Sequence, residues 1–172
     1  MKENDESLNS MPLSFDDLYR LYATDVLRVS YYYLGNRQQA EDVTQDVFVK
    51  LITNHPELEQ GREKAWLFKV ALNRCRDIWR GSWFKKVVLD HPAFELFPAP
   101  DEIGTVADQY DLAEAVSRLR PEFKEVVLLF YYQGFSVTEI AGILGIAEGT
   151  VSSRLSRARN KLQEELKGDE SR

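Results

Sequence analysis

The chain has 172 residues, of which 44% are hydrophobic and 29% charged. That is the composition of folded protein, enough for one ordinary domain or two small ones, and it excludes wholesale disorder. A single cysteine, Cys75, excludes an internal disulfide framework and a cysteine-rich zinc site. Two histidines, His55 and His91, lie far apart, so a metal centre or a catalytic triad is poorly supplied, and no cofactor is expected.

The net charge of −6 points away from nucleic acid only if it is spread evenly, and it is not. Residues 1–60 carry 5 bases and 11 acids, whereas 61–86 carry 8 bases and 2 acids. Residues 87–113 have 6 acids and no base, and 149–162 have four bases and no acid. Two basic patches inside an acidic chain say more than the total. The longest apolar run is too short to span a bilayer, and the first ten residues lack the apolar core of a signal peptide. A reducing cytoplasm is the expected compartment.

In chain order, the periodicity is helical nearly throughout. Phe15, Leu18, Tyr22, Val26, Val29 and Tyr33 recur at steps of three and four, with Ser14 as N-cap and Gly35-Asn36 as the stop. Ala40, Val43, Val47 and Leu51 form a second stripe, ending near His55-Pro56. A third helix covers residues 62–80. Three prolines and a run of acids then read as an irregular linker. Leu112, Val116 and Leu119 open a fourth helix; Pro121 starts a fifth, continued by Phe123, Val127 and Phe130 to Gly134. Ser136 and Glu139 form a capping box for a short helix that Gly145 ends, and residues 148–166 make the last one. The expected fold is therefore all-α. A polar tail (1–9) precedes a first domain (10–86), an acidic linker (87–109), a second domain (110–167) and a short tail (168–172).

The second domain carries a helix-turn-helix spacing. Ala141 is small where two helices must cross, Gly145 lies four residues on, and Val151 six beyond that, placed to pack the last helix back. The opposite face of that helix shows Gly149, Thr150, Ser153, Arg154, Arg157, Asn160 and Lys161. Small residues at the N-terminal end allow entry into a major groove, and the cations beyond reach bases and phosphates.

The third helix divides into an apolar face (Leu67, Phe68, Ala71, Leu72, Cys75, Ile78, Trp79) and a cationic one (Arg62, Trp66, Lys69, Asn73, Arg76, Arg80). Cations neutralise phosphates, an aromatic stacks on an unpaired base, and an amide bonds a base edge. This suits a separated strand; the same pattern also suits a solvated face whose tryptophan packs on a neighbouring helix. The loop 54–61 before it is placed to wall a pocket for an extruded base. Cys75, on the apolar face, reads as a buried structural thiol. Asp77 is expected to pair with Arg74 or Arg80. On the second helix Glu41, Asp42, Gln45 and Asp46 surround the outward Val49 and Ile52, either a solvated face or an acid-rimmed docking surface for a basic partner.

Three segments together resemble a bacterial extracytoplasmic-function (ECF) sigma factor of RNA polymerase: AEDVTQDVFVKL at 40–51, AWLFKVALNRCRDIWR at 65–80, and the stretch 119–162 ending in GTVSSRLSRARNKL. The resemblance covers residues 14–166. It implies that the first domain is a sigma region 2, with Asp42, Gln45, Asp46 and Val49 docking the clamp of the largest polymerase subunit. Trp66, Lys69, Asn73, Arg76 and Arg80 would meet the minus-ten element, and Leu58 and Gln60 of the preceding loop would hold a flipped non-template base. The second domain would be a sigma region 4, contacting the flap of the second-largest subunit, with Gly149, Thr150, Ser153, Arg154, Arg157 and Lys161 reading the minus-thirty-five element. An anti-sigma factor, often membrane-anchored in this family, is the implied regulator. Two departures bear on promoter sequence: Ser152 stands where many relatives have a base, and the loop NHPELEQG has no aromatic. The alternative is a helix-turn-helix regulator with an N-terminal sensing domain, which would have no need of a basic aromatic helix. An enzyme acting on nucleic acid would need a metal cluster or activated nucleophile, and no convergent set is evident.

Overall fold

The computed structural model describes residues 12–54, 56–86 and 106–169. Those residues form seven α-helices and one π-helical segment: α1 (Phe15–Leu34), α2 (Arg37–Asn54), α3 (Glu63–Lys86), α4 (Val106–Arg118), α5 (Pro121–Val127), the π segment (Leu128–Tyr132), α6 (Val137–Leu144) and α7 (Glu148–Asp169). The all-α expectation holds among them. The expected tail 1–9 lies outside the described residues, as does the expected linker up to residue 105. Helix α4 begins at Val106, inside the stretch assigned to that linker, and α3 runs six residues past the expected end at residue 80.

Local chemistry sets the ends of the helices. At the start of α1 the Ser14 hydroxyl accepts from the Asp17 amide, and the Asp17 carboxylate accepts from the Ser14 amide. That is a capping box with aspartate in the reciprocal position. The same reciprocity joins Ser136 and Glu139 at α6. Pro121 sits in the first turn of α5, where a missing amide hydrogen costs nothing. Gln133, past the π segment, donates its amide to the Leu128 carbonyl at 3.2 Å, a five-residue step.

The stripes read from periodicity face inward. Leu18, Val26, Val29 and Tyr33 of α1, Ala40, Val43, Val47 and Leu51 of α2, and Leu67, Phe68, Ala71, Leu72 and Cys75 of α3 are buried. Phe15 is the exception: at the open end of α1 it lies against Phe48 and Tyr19 and stays exposed. In the second half, Val116, Leu119, Val127, Ile140, Val151, Leu155 and Ala158 are buried. Both halves share one continuous apolar cluster, because α1 packs on α4 and α5, and α3 packs on α6.

Candidate nucleic-acid interface

The helix-turn-helix is built as its spacing requires. Gly145 adopts φ +67°, the left-handed conformation that lets the chain leave α6 at once. Its amide and that of Ile146 both donate to the Ala141 carbonyl, closing the end of α6. The Thr150 and Val151 amides then donate to the Ala147 carbonyl, starting α7. Val151, Leu155 and Ala158 are buried against the rest of this half. Gly149, Ser153, Arg157 and Lys161 are thereby turned to solvent, with Thr150 and Arg154 half-buried beside them. The Ser153 hydroxyl donates back to the Thr150 carbonyl, and Lys161 lies 3.7 Å from Glu164. Gly149, Thr150 and Ser153 keep the N-terminal end of this face small, and Arg154, Arg157 and Lys161 follow along it.

On α3, Lys69, Asn73 and Arg80 are exposed, while Trp66 and Arg76 are half-buried. Trp66 packs against the edge of the apolar cluster, as does Leu58 of the preceding loop; Gln60 is exposed. Glu63 organises that loop by accepting from the Gly61 amide at 2.8 Å. Arg76 is engaged already. Its Nε and Nη2 donate to the two carboxylate oxygens of Glu125 on α5, at 2.5 and 2.9 Å, and its Nη1 donates to Asn73 Oδ1 at 3.3 Å. The Glu125 hydrogen bond holds the Arg76 guanidinium even further up than arginine's usual range.

On α2, Asp42 and Gln45 are exposed, Val49 and Ile52 are exposed beside them, and Asp42 accepts from Gln38. Asp46 accepts from Arg74 Nε at 2.7 Å. Asp77 is expected to pair with Arg74 or Arg80; Arg74 bonds Asp46 instead, projecting toward α2 rather than along its own helix. Cys75 is fully buried, and burial pushes its thiol up to about 12, which fits a structural role.

Three buried charged residues went unread in the sequence: Glu63, at the start of α3, and the neighbours Lys124 and Glu125 on α5. The apolar stripe of Phe123, Val127 and Phe130 says nothing about which way Lys124 and Glu125 face. The signal for their burial was the run Val126 to Leu129, apolar all round and followed by three aromatics. A helix apolar on every side is enclosed on every side, and its few polar residues are enclosed with it. Among the described residues no helix is long and apolar enough to cross a membrane, and no group of His, Cys, Asp and Glu side chains is suited to hold a metal ion.

An all-helical chain with a helix-turn-helix in one half and a basic aromatic helix in the other defines a DNA-binding protein of transcription. Residues 18–84 match the Sigma-70 region 2 family and residues 109–162 the family Sigma-70, region 4. The chain is 38% identical over 146 residues to the ECF RNA polymerase sigma factor SigL of Mycobacterium tuberculosis, covering 82% of each. Among solved structures it is similar to the sigma factor RpoE of Bartonella quintana in complex with the anti-sigma factor NepR, with TM-score 0.73, 31% identity, and coverage of 89% of this chain and 96% of that one. It shares its fold with CnrH in complex with the cytosolic domain of CnrY, with TM-score 0.66 and 24% identity over 90% of this chain and 88% of that one. The chain belongs to the ECF RNA polymerase sigma factors. Proteins of this family bind core RNA polymerase, recognise promoter DNA and initiate transcription as non-enzymatic factors.

Proposed function

We propose that the three surfaces of this sigma factor divide its work as follows. The α2 face of Asp42, Gln45, Asp46 and Val49 docks the polymerase clamp. The cationic face of α3, with Trp66, Lys69, Asn73, Arg76 and Arg80, takes the minus-ten element, and the loop bearing Leu58 and Gln60 receives an extruded base. The α7 face of Gly149, Thr150, Ser153, Arg154, Arg157 and Lys161 reads the minus-thirty-five duplex. The chain carries no chemistry of its own in this reading. Promoter opening is driven by binding: a base trapped outside the stack stabilises the separated strands without nucleotide hydrolysis.

The observation that carries the assignment is the segregation of charge onto two surfaces. Lys69 and Arg80 of α3 and Arg157 and Lys161 of α7 are exposed, with the half-buried Arg76 beside the first pair, while the acids of α2 lie on a separate helix. The protein works in the cytoplasm, where the polymerase is. An anti-sigma factor controls it, as NepR is found on the Bartonella quintana relative; a membrane-anchored one would hold it at the membrane. Run-off transcription with purified core polymerase on a fragmented genomic library tests the reading. Discrete transcripts that depend on this chain are expected. Transcripts that persist in Lys69→Ala with Arg80→Ala would remove α3 from minus-ten recognition.

A further inference from the structure

The loop that leads into α3 is closed by a turn and a carboxylate. The Arg62 amide donates to the Glu59 carbonyl at 2.9 Å, so residues 59–62 make a four-residue turn with Gln60 and Gly61 at its centre. Gly61 has φ +87°, the left-handed value that the third position of a type II turn requires and that glycine adopts without strain. The Trp66 amide donates to the Arg62 carbonyl, which begins α3. Glu63 then reaches back across the turn, and its Oε2 accepts from the Gly61 amide at 2.8 Å. Glu63 is 7% exposed, the one buried charged residue among those described before α4.

A carboxylate taken out of water needs partners that offset its dehydration. Two are at hand. The Gly61 amide supplies a charge-assisted hydrogen bond, and the first turn of α3, where Glu63 stands, carries the positive end of the helix dipole. Burial, and next the Glu63 charge, raises the Tyr22 hydroxyl, so the carboxylate also lies near α1. The bond to Gly61 has a directional consequence. A trans peptide holds its N–H and C=O on opposite sides, and no described peptide is cis. With the Gly61 amide turned to Glu63, the Gln60 carbonyl is turned away from it, and Gln60 is exposed at the crest of the turn. Leu58, two residues earlier, is anchored at the edge of the apolar cluster.

We propose that Glu63 is a positioning residue for strand recognition: by holding the peptide between Gln60 and Gly61 in one orientation, it fixes the groups that the turn presents to an extruded base and so sets base preference in the minus-ten element. This role rests on the reading of the loop as the base-receiving one, and Glu63 itself touches no nucleic acid in it. The physical basis is preorganisation. The turn is short and exposed, and glycine visits left- and right-handed conformations about equally when nothing holds it. Without the carboxylate the peptide is free to rotate, and the Gln60 carbonyl faces an incoming base in one state and away from it in another. A loop with two conformations presents two patterns of donors and acceptors, and it discriminates less than a loop with one. An acceptor of the same reach can hold the Gly61 amide in place of the charge; a methyl group cannot.

The test uses holoenzyme assembled from core polymerase and the full chain, selecting from a pool of single DNA strands randomised over a short window; sequencing the bound strands reads base preference position by position. Glu63→Ala should lower enrichment of the favoured base at one position about fivefold or more and leave the other positions unchanged. Glu63→Gln keeps an acceptor oxygen at the same reach and should retain the parental preference. Val29→Ala opens a cavity in the buried core of the same half; it should lower the melting temperature and leave the preference unchanged. A preference that Leu58→Ala or Gln60→Ala alters and Glu63→Ala does not overturns the positioning role and spares the reading of the loop. The same loss in Val29→Ala as in Glu63→Ala overturns it too, since general loosening then suffices, as does a Glu63→Gln variant no better than Glu63→Ala. A preference that none of Leu58→Ala, Gln60→Ala and Glu63→Ala moves, or a pool in which no base is enriched, overturns the reading of the loop itself and the role of Glu63 with it.

Discussion

The Nε of Arg74 lies 2.7 Å from Oδ2 of Asp46, an ion pair that joins α3 to α2 across a half-exposed surface. It ties a residue of the proposed docking face to the helix that bears the cations proposed to bind DNA. An exposed pair of this kind contributes between nothing and about 1 kcal/mol. Asp46→Arg should therefore lower the melting temperature only slightly. Together with Asp42→Arg, at a residue that accepts from Gln38 of its own helix, it should reduce affinity for core polymerase at least about tenfold, because two acids proposed to face a basic partner become two like charges. Equilibrium binding to labelled core polymerase checks this, with thermal unfolding as the control. Unchanged affinity would remove α2 from the docking surface.

Arg157 and Arg159 are both exposed and two residues apart, yet they point to different sides of α7. Arg159 donates to the Tyr131 hydroxyl at 3.3 Å, on the side of the π segment. Arg157 shares its face with Ser153, Arg154 and Lys161. Arg157→Ala should weaken holoenzyme binding to an upstream duplex by about 1–3 kcal/mol if it holds a guanine edge, and should relax preference at one base pair. Arg159→Ala should leave sequence preference unchanged. A binding series over single-base variants of the upstream element separates the two, and equal effects of both substitutions would argue for phosphate contact alone.

Local rules made most of the fold legible. Ser14, Ser136, Pro121 and Gly145 mark helix ends through hydrogen bonds or dihedral limits that depend only on near neighbours, and the structure places the ends there. The helix-turn-helix face was legible for the same reason, since burial of Val151 and Leu155 fixes where Arg157 points. The partners of the cations were not. Arg76 finds Glu125 forty-nine positions away, and Arg74 finds Asp46 twenty-eight away, through packing that no local period encodes. Nothing local to Lys124 and Glu125 marks their burial: the stripe of Phe123, Val127 and Phe130 fixes one side of α5, while α1 packs on the helix and Arg76 of α3 reaches Glu125 from distant parts of the chain.

That enclosure has a pH signature. Burial pushes the Tyr132 hydroxyl from its usual 10 up to about 12, and it raises Tyr32 and Tyr33 as well, with the Glu125 charge adding to Tyr33. Cys75 moves the same way, from 9 to about 12. Above the unfolded values the unfolded chain has lost protons that the native chain keeps. Stability should therefore be insensitive to these groups at neutral pH and fall as pH rises from about 9 toward 12. Thermal unfolding at a series of alkaline pH values checks the direction, and tyrosinate absorbance reports which rings ionise late. Tyr132→Phe should flatten the part of the fall above pH 10. A melting temperature constant to pH 12 would contradict the burial of these side chains.

Gly145 and Gly149 stand four residues apart, and replacing each by alanine should have opposite effects. A Cβ on either meets no atom within 4 Å, so crowding decides neither case. Gly145 has φ +67°, where an L side chain strains against its own backbone, and Gly145→Ala should cost about 1–2 kcal/mol of stability. Gly149 lies in the first turn of α7 with ordinary helical dihedrals, so Gly149→Ala should be neutral or stabilise by up to about 1 kcal/mol by restricting the unfolded chain. Its methyl group would nevertheless project from the end of the helix assigned to the major groove, where backbone and duplex approach most closely. Gly149→Ala should then melt no lower than the parent and still bind the upstream duplex more weakly. Denaturant unfolding and duplex binding on the same preparations decide it: unchanged duplex affinity would place the N-terminal end of α7 away from the DNA.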